Sequence, residues 1–247
     1  MGEDHDLKAK ALEIHERLCA AYGCPVPYHA ALDPVSELVS SLLSHRTRNA
    51  ESHRAFNALR ERYPDWETLR EAPTADVQAA IAGVTWPEQK APRIQAVLRA
   101  VTARRGDLSL DFLADMPAAE ARAWLEAIPG VGPKTSAATL SFSRLRMAAL
   151  PVDSHHHRVA QRTGLIPASV DVGPAHKALA ALLPPEWDAQ RVYDDHEVMM
   201  FHGQRCCFHR NPACRACTLL DLCPAGQARM AAPANPERAR AAAARQA

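Results

Sequence analysis

Four cysteines, Cys207, Cys214, Cys217 and Cys223, fall within seventeen residues, spaced C-x6-C-x2-C-x5-C. Thiolates so close in sequence can converge on one metal centre, and thiolate-only sites hold zinc or an iron–sulfur cluster. Most four-cysteine zinc sites read as two C-x2-C pairs. Here one such pair has wider loops on either side, an asymmetry that favours a cubane cluster and leaves zinc open. A second candidate is Ile128-Pro129-Gly130-Val131-Gly132-Pro133-Lys134-Thr135, between two helical patterns. Alternate glycines let the backbone turn tightly and approach another chain closely. The N–H groups of such a hairpin, and of the helix after it, attract phosphate without reading base identity. An ordinary helix–helix turn would use the same residues.

Lys134 falls at the start of that following helix. The partial positive charge of a helix N-terminus disfavours an ammonium there, and a neutral amine can form a Schiff base with a sugar aldehyde carbon. Taken from the residues alone, a surface lysine beside a phosphate is the favoured reading of Lys134. Asp153 lies nineteen residues on. A helix from Lys134 to about Arg146 would run roughly 18 Å, and Met147–Pro151 can return the chain towards the hairpin. Asp153 is also placed to cap a helix running through Val159.

The elements that must position these groups are helical. Leu7, Ala11, Ile14, Leu18 and Ala21 form a stripe of helical period that Gly23-Cys24-Pro25 stops. Asp33 and Pro34 predict an N-cap and a first helical residue for a helix through Leu43. Further helices are predicted at Glu51–Arg62, Trp66–Ala72, Thr74–Ala82, Glu88–Arg105, Asp111–Asp115 and Ala118–Ala127. The 19 prolines mostly lie between these segments, as punctuation. Sustained strand alternation is missing, so the expected class is all-α. Residues 225–247, rich in Ala, Pro and Arg, are expected to be a flexible tail.

Composition narrows the function classes. The 247 residues suffice for one large domain or two small ones. Their net charge of +1 argues against coating nucleic acid by bulk electrostatics, though a local basic face stays compatible. With no run of eighteen apolar residues and a polar start, the expectation is a soluble cytoplasmic protein. Seven cysteines, four of them clustered, argue against a disulfide framework and leave Cys19, Cys24 and Cys206 as expected free thiols. Three consecutive histidines, His155–His157, point in different directions on a helix and cannot easily share one metal.

Three ordered blocks carry a family resemblance. Ile128–Thr135 resembles the hairpin of the helix–hairpin–helix DNA glycosylases. Pro151-Val152-Asp153-Ser154-His155-His156-His157-Arg158-Val159 resembles the segment that holds their catalytic aspartate. His202-Gly203-Gln204-Arg205-Cys206-Cys207 leads into the four cysteines as in the endonuclease III branch. The resemblance covers most of residues 7–223. It implies two helical domains flanking a DNA-binding cleft: a six-helix barrel with the hairpin over residues 30–146, and an iron–sulfur domain from residues 1–29 and 147–224. It further implies a [4Fe–4S] cluster on Cys207, Cys214, Cys217 and Cys223, and DNA contact through Gly130, Val131, Gly132 and His155. Lys134 then takes the role of the attacking amine and Asp153 that of the carboxylate assisting it. The implied activity is a bifunctional DNA glycosylase and AP lyase of base excision repair. It would remove oxidised pyrimidines from double-stranded DNA and cut abasic sites by β-elimination, acting as a monomer.

The chain departs from that branch in two places. Ser44-His45-Arg46-Thr47-Arg48-Asn49 stands where typical members read Ser-Ala-Gln-Ala-Thr-Asp, so Arg46 takes the position of the glutamine that fills the gap left by a flipped nucleotide. Val84-Thr85-Trp86-Pro87 stands where an apolar wedge is usual, and Trp86 reads equally as a larger wedge or a core residue. Both changes bear on substrate more than on reaction class. A monofunctional mismatch glycosylase and a non-catalytic iron–sulfur DNA-binding module are the competing expectations. Lys134 and the short tail argue against the former.

Overall fold

Aspartate and proline at segment boundaries set the architecture. The computed structural model describes residues 2–28 and 31–232, and among these every regular element is helical. In chain order the helices are α1 (Gly2–Tyr22), α2 (Pro34–Ser44), α3 (Asn49–Arg62), α4 (Trp66–Glu71), α5 (Thr74–Ala80), α6 (Pro87–Arg105), α7 (Ala118–Glu126), α8 (Pro133–Phe142), α9 (Ser154–Thr163), α10 (Val172–Ala180), α11 (Ala189–Arg205) and α12 (Pro224–Ala231). Residues Asp111–Asp115 form a short 3-10 turn. Asp33, Asp65 and Asp153 each accept N–H bonds from the first turn of the helix they precede. Such a cap contributes about 1 kcal/mol. Proline occupies the first position of α2, α6, α8 and α12, where its missing N–H costs nothing.

The chain divides into two units. One comprises Pro25–Val152 and Pro184–His196. Leu38, Leu59, Leu69, Ile94, Leu98 and Leu125 are fully buried in its core. Each contributes roughly 1.5–3 kcal/mol by leaving water. Its buried polar groups are paired. The Trp66 indole N–H donates to Ser36 Oγ at 2.9 Å. Gln95, with no exposed surface, donates to the carbonyls of Leu69 and Ala72 and accepts from Thr74 Oγ1, tying the α4–α5 turn to α6. The segment Pro184–His196 joins this unit through specific contacts. Asp194 Oδ1 accepts the Val26 N–H at 2.8 Å and the Tyr193 ring stacks on Tyr28 at 4.0 Å.

The other unit takes α1 to Cys24, Asp153–Leu183, and the chain from Glu197 onward. Three expectations need correction here and at the hairpin. Cys19 and Cys24 form a disulfide, because Gly23, at φ 88°, turns the chain back at the end of α1 and brings the two Cα atoms to 5.1 Å. Residues 225–231, expected to be flexible, belong to α12. That helix starts at Pro224, is capped by Cys223 Sγ accepting the Gly226 N–H, and packs against α9. The remainder of that expected tail, 233–247, lies outside the described residues. The helix carrying Lys134 ends at Phe142 rather than Arg146, where Ser143 turns extended.

Candidate active site and metal centre

The hairpin between α7 and α8 is anchored from below. Ile128 and Val131 are buried, while Gly130 and Gly132 are exposed. Gly130 has φ 96°, a conformation that L side chains rarely adopt, and a Cβ there would meet Arg93 Cγ at 3.1 Å. A Cβ at Gly132 would meet nothing within 4 Å, so its backbone faces open space. Glu126 at the end of α7 accepts from Ser136 Oγ at 2.7 Å, which locks the two helices of the hairpin together. Gly132 offers no side chain to cap α8, so the positive end of that helix is presented to whatever approaches.

Lys134 sits half-buried in the first turn of α8 and donates to Ser44 Oγ at 3.1 Å. Ser44 is the last residue of α2 and donates in turn to the Ser41 carbonyl at 2.9 Å. One turn and two turns back along the same face stand Ser41 and Glu37. Burial pushes the Glu37 carboxyl up to about 7, against the pull of the Ser41 hydroxyl and the Lys134 charge. His45, next along, is pushed down by burial and by the cations Lys90, Arg46, Lys134 and Arg93. Positive charge is therefore concentrated around the C-terminal end of α2, where the helix dipole favours it.

Arg46 and Trp86 occupy the two loops beside that end. Both are exposed, so Trp86 is a loop-tip residue and not part of the core. Both adopt left-handed backbone, φ 51° and 55°. For non-glycine residues this costs about 1–2 kcal/mol each. Neighbouring hydrogen bonds hold the loops there. Thr85 Oγ1 donates to the Arg46 carbonyl at 2.9 Å. Lys90, buried under the loops, donates to the carbonyls of Leu43 and His45 and to Thr47 Oγ1. Burial lowers the Lys90 ammonium to about 8.

Asp153 opens α9 in the other unit. Its Oδ1 accepts the N–H groups of His155 and His156 at 2.9 and 2.7 Å, the expected N-cap of α9. His155 Nδ1 lies 3.1 Å from Arg158 Nη2, His157 Nε2 lies 2.8 Å from the Val170 carbonyl, and His156 is buried. The triplet thus has separate environments and does not gather on one metal. Arg158 also donates to the carbonyls of Gly203 and Cys207, tying α9 to the segment that carries the cysteines.

All four cysteines line one cavity of about 140 Å³, together with Cys206 and His202. Donors are aimed at the sulfurs: Arg162 Nη1 at Cys207 Sγ (3.3 Å), Leu219 N–H at Cys217 Sγ (3.4 Å) and Gly226 N–H at Cys223 Sγ (3.2 Å). Hydrogen bonds of this kind are what metal-bound thiolates accept. Burial pushes the Cys217 thiol up to about 12 and raises Cys206 and Cys223, so a cation is needed to draw their protons off. The donor set fits a thiolate-held metal centre. Sequence reasoning missed His202 and Cys206, whose ligand atoms lie within 4.8 Å of one another and of Cys217 Sγ. The signal was present: they stand four residues apart at the end of α11. His202 Nδ1 meets Tyr22 Oη at 3.1 Å, and burial lowers its ring to about 4.

Known proteins share this sequence pattern. Residues 39–185 match the HhH-GPD superfamily of base excision DNA repair proteins. The chain belongs to that superfamily. It is 27% identical to endonuclease III of Synechocystis over 228 residues, 92% of this chain and 96% of that protein. It is 31% identical to endonuclease III of Thermotoga maritima over 196 residues, 79% and 84% of the two chains. The fold matches a structure of a trapped endonuclease III–DNA covalent intermediate with TM-score 0.76 at 24% identity, covering 90% of this chain and 98% of that one. This HhH-GPD protein is an endonuclease III-like base excision repair DNA glycosylase. No described helix of it is long and apolar enough to cross a membrane.

Proposed function

We propose that the protein is a bifunctional glycosylase and AP lyase acting on damaged bases, oxidised pyrimidines in particular, in double-stranded DNA. The observation that carries this reading is Lys134: an amine in the uncapped first turn of α8, directly after the hairpin and hydrogen-bonded to Ser44. The hairpin backbone at Gly130, Val131 and Gly132 would take a DNA phosphate, and Arg46 and Trp86 would enter the duplex beside the extruded nucleotide. Lys134 Nζ attacks C1′ and the base departs with its bonding electrons. The Asp153 carboxylate stabilises the positive charge that develops on the sugar. The sugar ring then opens, the C1′–O4′ bond breaking as O4′ takes up a proton, to leave a Schiff base at C1′; this makes C2′–H acidic, and loss of that proton expels the 3′ phosphate by β-elimination. His155, in the first turn of α9, would lie on the DNA side.

Cys207, Cys214, Cys217 and Cys223 would hold a [4Fe–4S] cluster, whose contribution is to fold the loop between them. That loop and its flanks carry Arg205, Arg210 and Arg215, side chains suited to phosphate. The decisive experiment is borohydride trapping on an abasic duplex. Wild type should form a covalent adduct and Lys134→Gln none; adduct formation by Lys134→Gln would sink the reading. A duplex panel with thymine glycol, 5-hydroxycytosine, uracil and an A·G mismatch tests the substrate class.

A further inference from the structure

Arg46 stands on a braced turn that also holds the Lys134 amine. The Thr47 N–H donates to the Ser44 carbonyl at 3.1 Å, closing a turn over Ser44–Thr47 at the end of α2. His45, at φ −57° and ψ 116°, and Arg46, at φ 51°, have the dihedral signs of a type II turn, whose third position ordinarily takes glycine or asparagine. Ser44, the first residue of the turn, accepts from Lys134 Nζ, and the third carries the exposed Arg46 guanidinium. Lys90, buried beneath, donates to the His45 carbonyl and to Thr47 Oγ1, and Thr47 Oγ1 accepts the Thr85 N–H at 3.2 Å. Thr85 Oγ1 donates back to the Arg46 carbonyl. Trp86 follows, 41% exposed, with its ring centre 5.8 Å from the guanidinium. All of these residues lie in the unit of Pro25–Val152.

A flat cation and a flat apolar ring are thus held, both exposed, on loops fixed beside the amine. The guanidinium donors meet no acceptor among the described residues. Such a pair suits a nucleobase. An indole offers a face on which a base stacks, and a guanidinium offers a rigid fork of donors for a base edge.

We infer that Arg46 reads the base left unpaired when its partner nucleotide is extruded, and that it selects guanine or cytosine over adenine or thymine. This rests on the reading that a nucleotide is extruded beside Lys134, and it narrows the substrates of that reaction. A guanidinium donates and cannot accept. A bidentate contact with it therefore needs two adjacent acceptors. Guanine offers O6 and N7, and cytosine, once unpaired, offers N3 and O2. Adenine sets its amino group between N1 and N7, and thymine sets its N3–H between its two carbonyls. Either base would turn an N–H towards the fork. Among oxidised pyrimidines, damaged cytosine, which stands opposite guanine, is then preferred to damaged thymine, which stands opposite adenine. The bracing by Lys90, Thr47 and Thr85 matters because a loop already held in place loses less freedom on making the contact.

The test uses duplexes that differ only in the base opposite an abasic site, so that no preference for the lesion itself enters. Single-turnover borohydride trapping by the full-length protein should be about tenfold or more faster opposite guanine or cytosine than opposite adenine or thymine, the discrimination of one bidentate contact. Arg46→Ala should lose that order. Arg46→Gln, whose amide both donates and accepts and so matches adenine, should shift the order towards adenine. Thermal melting of each variant checks its fold. Equal wild-type rates opposite all four bases overturn the inference, including the case in which Arg46→Ala is slower on every duplex, since Arg46 then serves a phosphate and reads no base. An order that survives in Arg46→Ala overturns it as well. If wild type traps nothing, the reading of Lys134 fails on its own. Binding to duplexes with a tetrahydrofuran abasic analogue opposite each base then decides the matter of Arg46. The same order in affinity, lost in Arg46→Ala, upholds it as the reader, and equal affinities overturn it.

Discussion

The Arg46 guanidinium lies 5.8 Å from the centre of the Trp86 ring, joining two loop tips that are both in left-handed backbone. A cation facing an exposed indole contributes about 0.5–1 kcal/mol, less than the strain of the two backbones. The hydrogen bonds of Thr85 and Lys90, not the ring contact, hold the two backbones, and backbone strain of this kind clusters at ligand clamps. Trp86→Ala should change stability by no more than about 0.5 kcal/mol, and Trp86→Gly should raise it by roughly 1 kcal/mol by relieving the positive φ. Both should lower kcat/KM on a lesion duplex by about tenfold or more, a loss near 1.4 kcal/mol. Thermal melting and single-turnover kinetics read the two effects apart. A large loss of stability in Trp86→Ala would place Trp86 among the core residues after all.

Glu37 also makes a prediction about stability that is independent of catalysis. Burial pushes its folded carboxyl up to about 7, above the ordinary glutamate value of 4.5. The folded state therefore holds a proton more tightly than the unfolded chain across that window, and stability falls as pH rises through it. Glu37→Gln cannot ionise. Its melting temperature should match wild type near the lower end of the window and exceed it above the upper end. A constant difference across the range would show that burial does not perturb this carboxyl.

Gly203 is required by contact. A Cβ there would stand 2.7 Å from His155 Cβ and 3.1 Å from His155 Cα, so α9 and α11 could not keep their spacing. Gly203→Ala should destabilise by about 1–3 kcal/mol. Gly173, near the start of α10, has nothing within 4 Å of its Cβ position. Gly173→Ala should be neutral or stabilising by up to about 1 kcal/mol. Denaturant titration of both variants distinguishes overlap from a general intolerance of alanine.

The metal centre separates two donor sets that share Cys217. Iron analysis and visible absorbance of anaerobically purified protein should show a brown iron–sulfur protein. Cys207→Ala should lose iron, and Cys206→Ala should keep it. Colourless protein carrying zinc would contradict the cluster. Iron lost in Cys206→Ala but kept in Cys207→Ala would assign the metal to His202, Cys206 and Cys217, which the geometry also groups.

Local chemistry made most helices legible. Asp33, Asp153 and the first-turn prolines act on the backbone next to them, so their effect is visible in the order of residues alone. The same holds for the hairpin, where Gly130 needs positive φ whatever surrounds it. The four cysteines and their shared cavity follow from spacing, since short loops keep them within reach of one another. What failed depended on a turn that brings near neighbours face to face, on a cap of unusual type, or on a packing partner distant in sequence. The Cys19–Cys24 bridge needed the return at Gly23, and α12 needed a cysteine sulfur as its N-cap and α9 to rest on.

Residue order alone was enough for a helical chain with a thiolate centre, a hairpin and a lysine behind it, because caps, turns and ligand spacing are local. Only the folded chain could decide that Trp86 is exposed beside Arg46, and that Lys90 ties down the loop before it. It alone brought Lys134 to Ser44, ninety residues away, and so onto the face that carries Glu37. Exposure, and the charge balance of a buried group, are properties of packing, and packing joins residues that the sequence keeps apart.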